Sequence, residues 1–148
     1  MGKTLIQIED KIKTIAQNHR QIKFYGDEKI WNVTTSGTVN YPVFFAVYQG
    51  TELRRGEQGH KFMFYSLDII RKDRANLNDI FNDTNRTMAD VIAELEWGGD
   101  MDIDLKVESF NMDSIDEGFM DDEVAGHSCQ VTVWTDFTIN SCVIPTIT

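Results

Sequence analysis

Residues 41–70 read YPVFFAVYQGTELRRGEQGHKFMFYSLDII, and this stretch decides the fold of the chain. Its two ends, residues 41–50 and 60–70, are rich in aromatic and branched side chains, a composition that favours β-strands. Residues 51–59 between them are polar and contain two glycines, which predicts a loop. The stretch therefore predicts a long β-hairpin with a basic tip, which carries Arg54, Arg55 and Lys61.

An amphipathic helix is predicted before the hairpin. Apolar residues recur at every third or fourth position from Leu5 to Ile15, so they lie on one stripe of a helix over residues 4–18. Thr4 and Gln7 have the spacing of a capping box, in which each side chain satisfies the backbone N–H of the other residue. Between this helix and the hairpin, residues 21–33 predict two short strands about a turn at Gly26 and Asp27.

A second amphipathic helix is predicted after the hairpin. Its apolar stripe runs from Met88 to Leu95, it begins after residues 83–85, and the glycine pair at 98–99 ends it. The polar residues before it predict irregular chain with one helical turn around Ile80. Beyond the helix we predict a strand over residues 100–110, an acidic loop over 111–123, and a last strand from Val124.

The aspartates at every second position from Asp100 to Asp104 have the spacing with which calcium loops begin. A calcium loop of the EF-hand type also needs Gly at its sixth position and Glu at its twelfth, where this chain has Leu105 and Asn111. Apolar residues fill the positions between the aspartates, which indicates a half-buried strand with an acidic face. We therefore expect no metal site in this stretch.

The order of elements predicts an α+β fold, in which a mixed or antiparallel β-sheet with a long hairpin is covered by two amphipathic helices. A length of 148 residues fits a single domain, 1–148, that buries a core without disulfides. The N-terminus alternates apolar and polar residues, so it predicts neither a signal peptide nor a membrane span, and we expect a protein made in a cytoplasm. In that setting Cys129 and Cys142 are expected to be buried and reduced.

The chain carries a net charge of −10, and this charge is unevenly distributed. Residues 1–75 contain 12 Lys and Arg against 8 Asp and Glu, a net of +4, whereas residues 76–148 contain 2 against 16, a net of −14. Blocks of like charge are usually solvated surfaces, and the alternative is that the acidic half of one copy meets the basic half of another. Because so acidic a domain repels phosphate, tight binding to nucleic acid is not expected.

Few residues suit catalysis. His19, His60 and His127 lie in separate segments without metal-binding spacing, and no phosphate-binding or nucleophile motif is present. His127 and Cys129 are two apart on a predicted strand, without a third group to orient them, so a Cys–His nucleophile is the weaker interpretation. We expect a protein that is not an enzyme and holds no cofactor.

The motifs D-x-V-A-G at residues 122–126 and N-x-C-x-x-P at 140–145, together with the order of helices and strands, resemble those of tail-terminator or tail-completion-like ring proteins of tailed bacteriophages. The chain looks most similar to such proteins of phages infecting Bacteroidetes. The resemblance implies a structural virion protein that forms a homo-oligomeric ring, a hexamer or dodecamer, at the head–tail junction or the tail end. It also implies neighbouring neck or tail proteins, DNA passing through without tight binding, assembly in the host cytoplasm, and no catalytic residues.

In a ring, one surface of each subunit must complement a different surface of the next. The sequence offers two complementary segments, the basic hairpin tip and the acidic loop. The predicted contact residues are Arg54, Arg55 and Lys61 on the basic side, and Asp113, Asp116, Glu117, Asp121, Asp122 and Glu123 on the acidic side. The charge fits one other class equally well, an acidic stand-alone binding module that mimics DNA or inhibits a host protein.

Overall fold

A computed structural model describes residues 4–27, 41–70, 75–97, 106–119 and 122–136 of the chain. The elements in chain order are helix α1 (Leu5–Asn18), strands β1 (Phe24–Gly26), β2 (Val43–Arg54) and β3 (Glu57–Ile69), helix α2 (Leu77–Trp97), and strands β4 (Lys106–Phe119) and β5 (Asp122–Asp136). Neither helix is long and apolar enough to cross a membrane.

The strands form one five-stranded sheet in the order β1-β2-β3-β5-β4. The short β1 pairs parallel to β2, while all the other neighbours pair antiparallel. The sheet is therefore mixed, and β2 and β3 form the long hairpin at its centre. The predicted α+β fold with two helices and this hairpin is confirmed.

The two faces of the sheet carry separate hydrophobic clusters, because side chains alternate between the faces along each strand. The first cluster joins the buried stripes of α1 and α2 to one face, which we call the helix face, through Phe44, Phe62, Phe64, Cys129, Val131 and Val133. The second cluster contains no residue of either helix and lies on the opposite face, which we call the second face; its members are Val43, Phe45, Val47, Leu67 and Val124.

The first helix agrees with its prediction over residues 4–18. Thr4 is the N-cap, and both bonds of the capping box are present: Gln7 N donates to Thr4 Oγ1 at 3.2 Å, and Thr4 N donates to Gln7 Oε1 at 2.9 Å. The buried stripe consists of Ile8, Ile12 and Ala16. The capping box thus places the start of α1 at the predicted residue, and the buried stripe lies on the predicted face of the helix.

The second helix begins earlier than predicted, at Leu77, and the single turn expected around Ile80 belongs to it. The reason is that Thr84 extends the buried stripe although it is polar. Its hydroxyl donates to the carbonyl of Ile80 at 2.7 Å, so the group is satisfied inside the helix. A hydroxyl satisfied in this way can occupy a buried helical position at little cost.

The loop predicted over residues 51–59 is wrong, because the ladder of β2 and β3 continues to the pair Arg54–Glu57. Only Arg55 and Gly56 connect the strands, and Gly56 has φ +80°, a conformation that glycine adopts without strain. Polar residues here form strands because β3 is paired with both β2 and β5 as far as Glu57, which satisfies its backbone groups on both sides.

The acidic loop predicted over 111–123 is also wrong. Most of it belongs to β4, and its last two residues begin β5. The pairing shifts between Ser109 and Met112, where β4 advances three residues while β5 advances two. Beyond this β-bulge, the residues of β4 that face the helices are those of the opposite parity. The regular alternation of apolar and polar residues that signals a strand is therefore broken at residues 110–111.

Several sequence predictions lie outside the described residues. They concern the short strand expected after Gly26, residues 100–105 of the aspartate row, and the closing motif with Asn140, Cys142 and Pro145. Of the predicted contact residues, Asp121 also lies outside, and the side chains of Glu117, Asp122 and Glu123 are not described.

Candidate functional site: the two ends of the sheet

The basic residues lie where β2 and β3 meet, at the end of the sheet that we call the hairpin tip (residues 54–57). Arg54 and Arg55 are exposed there, and Arg55 makes no ion pair with another described residue. Lys61 lies four residues further along β3 and is half-buried. The structure thus brings the three predicted basic residues into one region.

Arg54 packs against its own subunit. Its guanidinium carbon lies 4.1 Å from the centre of the Trp134 ring, and its Nε lies 3.5 Å from Glu52 Oε1. The Trp134 ring in turn covers Gly59, where an added Cβ would approach ring atoms to 2.7 Å. Glycine at this position therefore leaves the space in which Trp134 lies beneath the arginine.

Lys61 is also engaged within the chain, since its Nζ lies 3.9 Å from Glu52 Oε2. A second pair on the same face joins Lys106 Nζ to Glu57 Oε2 at 3.7 Å. Exposed pairs of this kind contribute little energy, about 1 kcal/mol or less each, but they lower the net positive charge of the tip. Arg55 is therefore the predicted basic residue best placed to act on another molecule.

The acidic residues lie on a strand at the edge of the sheet. Asp113 and Asp116 belong to β4, both are exposed, and Asp113 makes no ion pair with a described residue. By register, Glu117 lies opposite Val124 at the far end of β4. This edge position was not evident from the sequence. Between Val107 and Ile115 the alternation of apolar and polar residues is interrupted and resumes shifted by one residue, and this shift is the signal that could have revealed the strand.

The basic and acidic residues occupy opposite ends of the same sheet. Glu57 pairs with Arg54 on one side and with Asp136 on the other, whereas Ile69 pairs with Val124. By register Asp113 and Asp116 lie level with residues eight and eleven positions along β3 from Glu57, which is about 26 and 36 Å at roughly 3.3 Å per residue. Because charges are screened over about 8 Å at physiological salt, the two ends cannot neutralise each other within one subunit.

The two buried histidines are held by hydroxyl groups. His127 Nδ1 lies 2.9 Å from Thr84 Oγ1, and the only hydroxyl hydrogen of Thr84 is used toward Ile80, so His127 donates from Nδ1. His60 Nδ1 lies 3.0 Å from Thr51 Oγ1, which also contacts the hydroxyl of Tyr48. Burial lowers the pKa of both imidazoles, so they are neutral near pH 7.

His19 differs from these two, since its Nε2 donates to Asp90 Oδ2 at 3.0 Å and thereby links the end of α1 to α2. Its Nδ1 accepts from the backbone N–H of Gln21 at 3.1 Å, which fixes the tautomer. His19 thus connects the two helices through its side chain.

Cys129 and His127 form no hydrogen bond with each other. The thiol of Cys129 donates to the carbonyl of Phe110 at 3.4 Å, with the carbonyl of Gln130 as the more distant alternative at 3.7 Å, and burial raises its pKa. The expectation of a buried, reduced Cys129 is confirmed. A neutral thiol that points at backbone carbonyls is poorly suited to nucleophilic attack, because the thiolate is the reactive form.

Other candidate sites are weak. Among the described residues, no three His, Cys, Asp or Glu side chains lie close enough together to hold a metal ion. A shallow depression of about 230 Å³ lies beside the β4 bulge on the second face, lined by Met63, Phe110, Asn111, Asp113, Ser128 and Gln130. It is open and mainly polar, unlike the enclosed apolar clefts that bind small molecules.

Comparison with known proteins gives no family assignment: no protein-family model matches the chain, and no curated protein is significantly similar to it.

Proposed function

We propose that this chain is a structural subunit of a homo-oligomeric ring in the virion of a tailed bacteriophage, at the head–tail junction or the tail end, through which DNA passes. The observation that carries the proposal is the separation of charge along the sheet: a basic hairpin tip at one end and acidic residues on β4 toward the other.

This arrangement suits a head-to-tail contact. Two copies related by a two-fold axis that passes beside β4 would bring the acidic strand against itself. Copies related by a ring rotation instead present different patches, and the hairpin tip of one subunit can reach the acidic strand of the next. Because Asp113 and Asp116 lie about 26 and 36 Å along the strands from the tip, one subunit cannot pair them with its own tip.

The same charges support DNA passage without tight binding. Affinity for duplex DNA depends mainly on Lys and Arg side chains that displace counterions from phosphates. Here Arg54 and Lys61 are both paired with Glu52, and the chain as a whole carries −10. We expect binding to duplex DNA to be weak and to vanish in moderate salt, which titration by fluorescence anisotropy at two salt concentrations would measure.

A role without catalysis is consistent with the buried polar groups. Each of the three histidines has a partner for at least one ring nitrogen, while His60 Nε2 is buried without one, and the Cys129 thiol donates to the Phe110 carbonyl. These contacts join elements of the fold to one another. We therefore propose no reaction and no cofactor for this chain.

Native mass spectrometry of the purified chain, followed by electron microscopy, tests the proposal. We expect closed rings with a fixed number of subunits and a central opening. A chain that stays monomeric at every concentration and salt level would overturn the proposal and favour the acidic stand-alone binding module. A submicromolar complex with duplex DNA at physiological salt would also argue against it.

A further inference from the structure

Two backbone edges of the sheet lack a neighbouring strand among the described residues. The first is the part of β2 beyond β1, because β1 pairs only with Val43–Phe45; we call residues 48–54 the free segment of β2. The second is the outer side of β4, whose described ladder is with β5 alone. Unpaired N–H and C=O groups along such edges readily accept another strand.

Exposed apolar side chains lie on the same two edges. Tyr48 and Leu53 on the free segment are 39% and 67% exposed, and Phe110 on β4 is 52% exposed. They are three of the six large hydrophobic side chains that are exposed among the described residues. Of these three, Leu53 lies on a regular part of its strand, and its burial would supply affinity that surface ion pairs do not.

We propose that the free segment of β2 in one subunit adds as an antiparallel strand to the outer side of β4 in the next subunit, so that the sheet continues from copy to copy. The inference rests on the proposed ring and names the contact that builds it. β2 runs toward the hairpin tip and β4 runs away from it, so copies that keep the same orientation around a ring axis bring the two strands together antiparallel.

The bulges restrict which residues can pair. On β2 the extra residue lies between Tyr48 and Gly50, so residues 50–54 are regular. On β4 the ladder is regular again from Met112. The uninterrupted stretches are therefore short, and the contact is expected to join residues 50–54 of one copy to residues 113–117 of the next.

The face on which each side chain lies, together with its charge, selects one register for this contact. In a continuous sheet, residues on the second face must stay on that face, and both Arg54 and Asp113 lie there by register. Placing Arg54 opposite Asp113 sets Leu53 opposite Ser114 and Thr51 opposite Asp116. The alternative that sets Arg54 opposite Ile115 brings Glu52 against Glu117, where like charges repel.

Other occupants of the β4 edge fit less well. Pairing of β4 with β4 of a second copy would oppose acidic residues across a two-fold axis. Pairing with β1 would offer only three residues to a strand of 14. The free segment of β2 carries Arg54 and the matching run of regular strand, so it is the occupant that charge and length both favour.

Cross-linking between two singly substituted chains tests the register. A Leu53→Cys chain and a Ser114→Cys chain, both with Cys142→Ser, are mixed, assembled and treated with a short bismaleimide. We expect a cross-linked dimer of the two chains, and much less when Ser109→Cys replaces Ser114→Cys, since five residues of strand shift the site by about 17 Å. In parallel, hydrogen exchange of residues 113–117 is expected to slow on assembly.

The outcomes separate this inference from the proposed function. Rings that form without the Leu53–Ser114 cross-link and without slower exchange on β4 would overturn the strand pairing and leave the ring proposal standing. Chains that never assemble would overturn both. Equal cross-linking at Ser109 and Ser114 would overturn the register.

Discussion

Arg54 and Arg55 are adjacent at the hairpin tip, yet the structure separates their roles, and this separation can be tested. Arg54 packs on Trp134 at 4.1 Å and pairs with Glu52, whereas Arg55 makes no ion pair with a described residue. Arg54→Glu should therefore disturb the subunit itself as well as assembly, whereas Arg55→Glu should act on assembly alone. A double reversal would mix the two effects.

The expected magnitudes follow from the exposure of the groups. A cation–π contact at an exposed site contributes about 0.5–1 kcal/mol, and the ion pair, whose side chains are 55% and 42% exposed, adds only a fraction more. Arg54→Glu, which also introduces repulsion from Glu52, should cost about 1 kcal/mol and lower Tm by roughly 2–4 °C. Arg55→Glu should change stability by less than about 0.5 kcal/mol.

Both reversals should weaken assembly, because Arg54 faces Asp113 in the proposed strand pairing and Arg55 lies beside it. Loss of a rim ion pair costs about 1 kcal/mol or less per contact, roughly up to fivefold in association, and the contact recurs around the ring. Arg55→Glu should thus weaken assembly most clearly at low salt, without unfolding the subunit. Asp113→Lys should partly restore the assembly of Arg54→Glu, because these two residues face each other in the proposed strand pairing and their charges are then exchanged.

Thermal unfolding followed by circular dichroism and native mass spectrometry at two salt concentrations give the two readouts. Lys13→Glu, an exposed charge reversal on α1, is the matched control for the change in net charge. If Arg55→Glu assembles as well as the parent at both salt concentrations, the tip is not the contact. If Arg54→Glu leaves Tm unchanged, the stacking on Trp134 contributes nothing measurable.

The remaining predictions concern the buried groups. Thr84→Val should lower the free energy of unfolding in urea by about 1–3 kcal/mol, since His127 Nδ1 loses its acceptor, and Thr84→Ser should cost less; equal losses would contradict the bond. NMR titration should place the pKa of His60 and His127 below about 6.5, so that stability from these groups is present above that pH and falls as the pH drops below it; a value at or above 6.5 for either would refute the effect of burial. Gly126→Ala should unfold the subunit or cost more than about 3 kcal/mol, because a Cβ there lies 1.9 Å from the Ser66 carbonyl oxygen at φ +159°, and near-parent stability would contradict that geometry.

Local patterns determined much of the fold. The capping box at Thr4 and the apolar stripe behind it fixed α1, because both depend on residues within one turn of each other. The aromatic runs in residues 41–70 fixed the central hairpin, since strands of such composition need a buried sheet. The burial of Cys129 was also predictable from the sequence, because a free cysteine behaves as a small hydrophobic residue.

Tertiary pairing decided the rest. Residues 51–59 are polar enough for a loop, and they are strand because the ladders of β3 with β2 and with β5 both continue to Glu57. The bulge between Ser109 and Met112 breaks the alternation that defines a strand locally, so β4 becomes evident only from its partner β5. The distribution of charged residues along the sequence was enough to show that the chain has a basic half and an acidic half. Only the register of β3 and β5 decided that the basic tip and the acidic edge lie at opposite ends of one sheet, because distance in space is set by strand pairing and not by separation in sequence.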